Sequence, residues 1–407
     1  METPAMPGPS PIDLSNGQSF AQGFPHDFFR HLRAEDPVFW HEPTEHTPGG
    51  EGFWVVSRYD DIEHVFRNPD LFSSEKGPDR PYAGTQLMDD KYAGQMMIMT
   101  DNPKHARLRA LVTSGFTPAT LAKLEQDVCD LSAEILDAVA DEECFDFVDK
   151  VAKELPLQVI CAMVGVPRED RGQLIEWLDL GVSTPSEAII AAEYFRKVRD
   201  YGRALIQEKK RNPTNDILSN VIQAQIDGES LTDRELESFF IMLFSAGSET
   251  TRSAIGGAML AFIQNPDQLE KLRGDPGLMR WALEEIVRWT TPSIYKRRTA
   301  MADTEIAGQK IAANQKVTIW ELSANRDETK FDRPFDFDIA RRPNRHIGFG
   351  AGVHFCLGAN LARLEIRSVL NELMTRYKGF RLAGDPAWTP SNRLLGLRTL
   401  PVQLQHI

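Results

Sequence analysis

Apolar positions recur every three to four residues from about Pro103 into the 280s, the spacing of helices that bury one stripe. Pro103, Pro118 and Pro167 each suit a first helical turn, where a missing N–H costs nothing. The longest segment runs from Asp233 to about Gln264. Thr232 is its expected N-cap, Glu235 completes a capping box three residues on, and Asn265-Pro266 ends it. A shorter helix is expected from about Pro25 to Glu35. Two strand-like pieces follow, 38–41 and 53–57, joined by a polar, glycine-containing loop. Residues 73–95 keep no period and read as a long loop. After Pro292 the pattern turns to alternation over 297–321, broken by turn signals at 307–309 and 313–315, which predicts short strands. A glycine-rich stretch at 348–358 leads into a helix over about 359–377, and 396–404 reads as strand. Much helix with a smaller β portion drawn from distant segments predicts a mainly α fold. One interleaved domain is expected over 19–407, after a flexible arm rich in Pro, Ser and Gly over 1–18.

At 407 residues, 42% hydrophobic and 26% charged, the chain has the balance and length of a globular protein with a sizeable core. A net charge of -13 argues against a nucleic-acid binder. Four cysteines, at 129, 144, 161 and 356, make a poor disulfide framework, and no CxxC pair points to a zinc ribbon or covalent haem attachment. The first residues lack the basic-then-apolar form of a signal peptide, and the most apolar run, Phe239 to Ala246, is too short to span a bilayer. A cytoplasmic protein is expected.

The stretch from Phe349 to Ala362 carries the most chemistry. Cys356 stands just before a helix whose unpaired N–H groups point back at it, a position that favours thiolate. A thiolate is a strong iron ligand, and on a haem it donates charge that favours O–O cleavage. Gly350, Gly352 and Gly358 leave room for a flat macrocycle against backbone. His354 is placed to meet a haem carboxylate. A lone cysteine is most often plain core; the whole spacing Phe-Gly-x-Gly-x-His-x-Cys-x-Gly favours the ligand.

This loop, the stretch Ala246-Gly247-Ser248-Glu249-Thr250-Thr251 and the stretch Glu285-Ile286-Val287-Arg288-Trp289 resemble, in order and spacing, the cytochrome P450 family in its soluble bacterial, actinobacterial form. The resemblance spans nearly the whole chain. It implies the cytochrome P450 fold, with a non-covalent haem b (heme b) between the long central helix and the helix after the cysteine loop, and Cys356 on the iron. It implies a monooxygenase that inserts one atom of dioxygen into a hydrophobic molecule of sterol, terpenoid or aromatic type. Ala246 and Gly247 would then open a groove for dioxygen, and Thr250 and Glu249 would bring it protons. Taken alone, the same motif is a helix kink with a threonine bonded to a preceding carbonyl.

His105 and Arg109, at i and i+4 on one helix face, become with Arg298 and His354 the anchors of the two haem carboxylates. Glu285 and Arg288, in an anonymous helix a surface pair, become a buried network behind the loop, with Arg341 as third member. Met97, Ile98, Leu243, Ala246, Gly247, Ile294 and Tyr295 are the expected pocket lining. Lys296 and Arg297 leave room for an anionic group on the substrate. Over 339–367, Arg341, Arg342, Arg345, Arg363 and Arg367 face only Glu365, with Lys104 and Arg107 elsewhere. Such a face would steer an acidic ferredoxin, itself reduced by an NAD(P)H-dependent ferredoxin reductase. Two functions compete. A peroxide-using or non-oxygenating haem-thiolate enzyme has no need of Thr250 and Glu249. A haem-binding sensor or carrier has no use for an apolar pocket.

Overall fold

In the computed structural model, which describes residues 12–183 and 188–407, helix predominates and short strands fill the alternating segments. The helices in chain order are α1 (His26–Glu35), α2 (Tyr59–Arg67), α3 (Lys104–Thr113), α4 (Pro118–Asp137), α5 (Glu154–Met163), α6 (Arg168–Ser183) and α7 (Ala188–Arg211). After them come α8 (Ile217–Gln223), α9 (Asp233–Gln264), α10 (Pro266–Gly274), α11 (Met279–Thr290), the one-turn α12 (Glu321–Ala324) and α13 (Ala359–Arg376). The strands are β1 (Val38–His41), β2 (Phe53–Val56), β3 (Phe72–Ser73), β4 (Phe145–Asp146), β5 (Lys296–Ala300) and β6 (Thr304–Ile306). They continue with β7 (Gln309–Ile311), β8 (Lys316–Ile319), β9 (Tyr377–Leu382), β10 (Ala387–Trp388), β11 (Leu397–Thr399) and β12 (Pro401–His406).

Two compact units emerge, each from separated segments. The first takes the residues up to Gly94, Asp267–Phe355 and Pro386–Arg398; the second takes Gln95–Pro266, Cys356–Asp385 and Thr399–Ile407. The first unit is built on a five-stranded sheet of order β1-β2-β8-β5-β3, in which β2 and β8 run parallel. Alternation along β2 sends Phe53 and Val55 to a cluster with Phe20, Phe29 and Trp320, and Val56 to a cluster with Ile62, Phe66 and Val317. Both faces of the sheet are therefore covered, the usual condition of a parallel pair. Residues 1–11 of the expected arm lie outside the described residues. Residues 12–18 are not loose. Leu14 is fully buried, its N–H donates to His41 Nε2 at 3.0 Å, and Asn392 Nδ2 donates to the Ser15 carbonyl at 2.9 Å. Composition suggested an arm; one leucine and these long-range bonds tie it down.

The second unit gathers α3 to α9 and α13 with a small sheet of order β4-β12-β9. The Thr232 capping box forms as its pattern predicts, and α9 runs its 32 residues from it. Its C-terminal half, with Ala254, Ile255, Ala258, Met259, Ala261 and Phe262, is buried. The α5 helix packs close along α9, and a Cβ on Gly247 would stand 2.9 Å from Ile160 Cδ1. The glycine lets the two helices approach closely there. On α13, Ser368 meets Ser132 of α4 at 2.8 Å, Oγ to Oγ. No described helix is long and apolar enough to cross a membrane.

Candidate active site

In the second unit, Cys356 is exposed and stands two residues ahead of Gly358, the N-cap of α13, which offers no side chain to cap the helix. Nothing lies within 4 Å of where a Gly358 Cβ would be. His105 is buried on α3. Arg109, four residues on, is half-buried; burial holds its guanidinium below the usual range and the nearby Cys356 draws it back up. Among the described residues no carboxylate pairs with Arg109. On α9, Ser245 and Ala246 are exposed in the middle of a helix that is otherwise largely covered. Thr250 Oγ1 donates to the Ala246 carbonyl at 2.8 Å, and Glu249 Oε1 pairs with Arg252 Nη1 at 3.3 Å. The threonine thus makes the back-bond expected of an isolated motif, but α9 continues through it as one helix.

In the first unit, Arg298 is buried on β5, donates to its neighbour's carbonyl at 2.8 Å and lies over the Phe66 ring at 6.0 Å. His354 Nε2 is 3.2 Å from Ser74 Oγ, a partner that no motif announced. Gly350 and Gly352 take left-handed conformations, φ 72° and 66°, and a Cβ on Gly352 would stand 2.5 Å from the Phe66 carbonyl oxygen. Close backbone packing therefore requires Gly352 to be glycine, whatever else approaches it.

Behind this loop the Glu285 carboxylate is fully buried. Arg288 donates to it at 2.7 and 2.8 Å, and Arg341 Nε at 3.1 Å. Asn344 Nδ2 adds a bond at 3.1 Å and the Asp338 N–H another at 2.9 Å. The two arginines spend their remaining donors on carbonyls: Arg288 on Asn325 and Pro334, Arg341 on Arg333 and Asp336. Asn325 Oδ1 in turn accepts from the Ile347 N–H at 2.9 Å. Desolvating three charges is costly unless every lone pair and proton is engaged; here the extra groups engage them and hold residues 332–347 in place. Asn325 and Asn344 could not be picked out in the sequence, since a lone asparagine in a loop carries no pattern.

Several expectations need correction. Ile294 is 0% exposed and Tyr295 5%, and both pack in the core cluster with Trp320 and Leu87. Lys296 pairs with the buried Glu321, and Arg297 with Asp89, so neither awaits an anionic substrate group. Of the expected basic face, Arg341 is buried in the network, Arg107 pairs with Glu235 and Arg367 with Glu125. Glu365, the one acid counted against that face, is itself buried. Arg342 and Arg345 are exposed. Met97 is half-buried and borders a small cavity with Leu108, Val112, Phe239 and Met242; Ile98 is exposed and Leu243 half-buried.

The cytochrome P450 family model matches residues 182–275 and 277–406. The chain belongs to that family: it is a haem-thiolate oxidoreductase, a cytochrome P450 monooxygenase whose cofactor is non-covalent haem b. Its relatives include the cytochrome P450 126 of Mycobacterium tuberculosis, 47% identical over 407 residues and 98% of each chain. They also include the methyl-branched lipid omega-hydroxylase of the same species, 40% identical over 393 residues, 92% of this chain and 90% of that one. Among solved structures, a Mycobacterium marinum cytochrome P450 in complex with pseudoionone superposes with a TM-score of 0.87 at 33% identity, covering 98% of this chain and 100% of the other.

The residues present fit such a cofactor. An exposed thiol stands at an uncapped helix start, open space lies over Gly358, and a half-buried arginine lacks a carboxylate. A thiolate-held group carrying acidic side arms would meet each of these.

Proposed function

We propose that this enzyme oxygenates an apolar, lipid-like molecule with electrons from a ferredoxin and its reductase, and that Cys356 holds the haem iron. His105, Arg109, Arg298 and His354 hold the carboxylates, and Glu285, Arg288 and Arg341 brace the loop. The observation that carries this reading is Cys356 itself: exposed, at the start of α13, with Arg109, which pairs with no carboxylate among the described residues, near enough to feel its charge. Bound there, haem supplies the activation of dioxygen. This chain's residues supply the rest. The α13 N–H groups and Arg109 favour the thiolate. Thr250 has its proton committed to the Ala246 carbonyl, so its oxygen presents lone pairs that accept from a water bringing protons to the site. Glu249, half-buried beside Arg252, exchanges protons with water. Keeping this pair favours dioxygen over peroxide as oxidant. Ile98, Leu243 and Ala246 offer apolar surface to the substrate. The lipid class is supported by the omega-hydroxylase relative. Exposed Arg342 and Arg345 support an acidic electron donor.

The test compares wild type with Cys356→Ala, both supplied with haem. Wild type should give the red-shifted Soret band of the reduced carbon monoxide complex. With ferredoxin, its reductase, NADH and a methyl-branched fatty acid as probe, it should consume NADH in a substrate-dependent way. Cys356→Ala should lose both. A mutant that keeps the band defeats the ligand assignment. Turnover by peroxide alone, with none from ferredoxin, defeats the dioxygen reading.

A further inference from the structure

Residues 13–18 form a strap across the first unit, fastened by a polar seam that the proposed function leaves unexplained. The strap turns on the Asp13 carboxylate. It accepts from the Ser15 N–H at 2.9 Å, from Thr44 Oγ1 at 2.8 Å and from His46 Nδ1 at 3.0 Å. Asn16 Nδ2 reaches the other nitrogen of His46 at 3.2 Å, and Asn16 Oδ1 accepts from the Gln18 N–H at 2.9 Å. On its other side the strap meets the turn over 390–395. Asn392 Nδ2 donates to the carbonyls of Leu14 at 3.3 Å and Ser15 at 2.9 Å. A Cβ on Gly17 would stand 2.6 Å from the Pro390 carbonyl oxygen. That turn is itself tied to residues 292–294: Leu395 N–H donates to the Pro292 carbonyl at 2.8 Å, and Ile294 N–H to that of Arg393 at 3.2 Å.

Under the strap lies His41, buried at the end of β1 with its ring stacked on Phe53 of β2 at 4.4 Å. Its Nε2 accepts the Leu14 N–H at 3.0 Å. A ring nitrogen accepts only while it carries no proton, so this bond exists only in neutral His41. Protonation would set an N–H against the Leu14 N–H at a buried contact. The charged groups facing the ring are Asp13, whose Oδ1 is 3.5 Å from Nε2, and Glu42, next along the chain; His46 lies across the Asp13 carboxylate. Burial holds His41 below its ordinary 6.5 and outweighs the two carboxylates, which favour the imidazolium. His46 is exposed, so its charge state weighs little on the seam.

We propose that His41 is an acid-sensitive latch: neutral, it holds residues 13–18 against the 390–395 turn, and on taking up a proton it releases them. The latch lies wholly within the first unit and needs nothing of the haem site.

Amide exchange on the haem-loaded enzyme from about pH 5 to pH 8 tests it, with each amide's protection taken against the unfolded chain at the same pH. The opened strap frees an imidazole of ordinary 6.5, so opening takes up a proton below that value and none above it. Protection at Leu14 should therefore fall by up to about tenfold per pH unit below 6.5 and stay level above. Opening also removes both Asn392 bonds, so Leu395 should lose protection with Leu14. Val317 and Ile319 of β8, in the same unit, should keep theirs. His41→Gln offers an acceptor that does not titrate, and its Leu14 protection should be flat with pH. His46→Gln should keep the wild-type profile. Flat protection at Leu14 in wild type overturns the proposal. So does an equal fall in β8, which would be loosening of the whole unit, and so does a fall that persists in His41→Gln. A Leu395 amide that stays protected while Leu14 opens defeats the link to the turn. Should His41→Gln not fold, the wild-type profile set against β8 and His46→Gln still decides.

Discussion

Glu365 offers the sharpest quantitative prediction. It lies on α13, nine residues beyond Cys356 in sequence, and is buried with its Oε2 lacking any hydrogen-bond partner. Loss of water alone pushes its carboxyl up to about 8, from an ordinary value of 4.5. At neutral pH the folded protein therefore keeps a proton that the unfolded chain gives up. The sign follows. Stability is unaffected by this group below about pH 4.5, falls as pH rises to about 8, and levels off above. Each pH unit in that window is worth about 1.4 kcal/mol, so the loss is about 5 kcal/mol in all and about 3 kcal/mol by pH 7. Glu365→Gln cannot ionise and has no such slope. Whatever its amide gains or loses by fit is the same at every pH and drops out of the slope. Urea unfolding of both proteins from pH 5 to pH 9 should show the mutant gaining about 4 kcal/mol on wild type across the range. A difference that stays flat with pH would refute the argument and mean that Glu365 ionises in the fold beside an unrecognised partner or water.

Arg341→Ala should leave the Glu285 carboxylate short of a buried donor and cost about 3–5 kcal/mol, read as a lower unfolding midpoint with reduced haem content. Arg341→Lys should rescue little, since it cannot serve Glu285, Arg333 and Asp336 together. Thr250→Ala should keep NADH consumption within about tenfold while product per NADH falls and hydrogen peroxide rises; unchanged coupling would remove Thr250 from the proton path. Thr251→Ala, at a buried position on another side of α9, should lower stability and leave coupling alone.

Much of this protein could be read from neighbours along the chain. The start of α9 rests on Thr232 and Glu235, three residues apart, and its end on Asn265-Pro266; such signals act over a single turn and survive in any fold. Cys356, the glycines around it and the helix after it form another local group, which is why the candidate ligand stood out. Alternation over 297–321 likewise marked strands that the structure contains. Tertiary structure decided what local pattern could not. Arg297 and Arg298 are adjacent and alike, yet a strand's pleat sends them to opposite faces, one to Asp89 and one over Phe66. Ile294 and Tyr295 have the character of pocket residues, but Leu87 and Trp320, over 200 residues back and about 25 ahead, enclose them. Glu365 sits among arginines in sequence and is buried away from water in space. Burial is set by residues far along the chain, and no pattern of near neighbours carries that information.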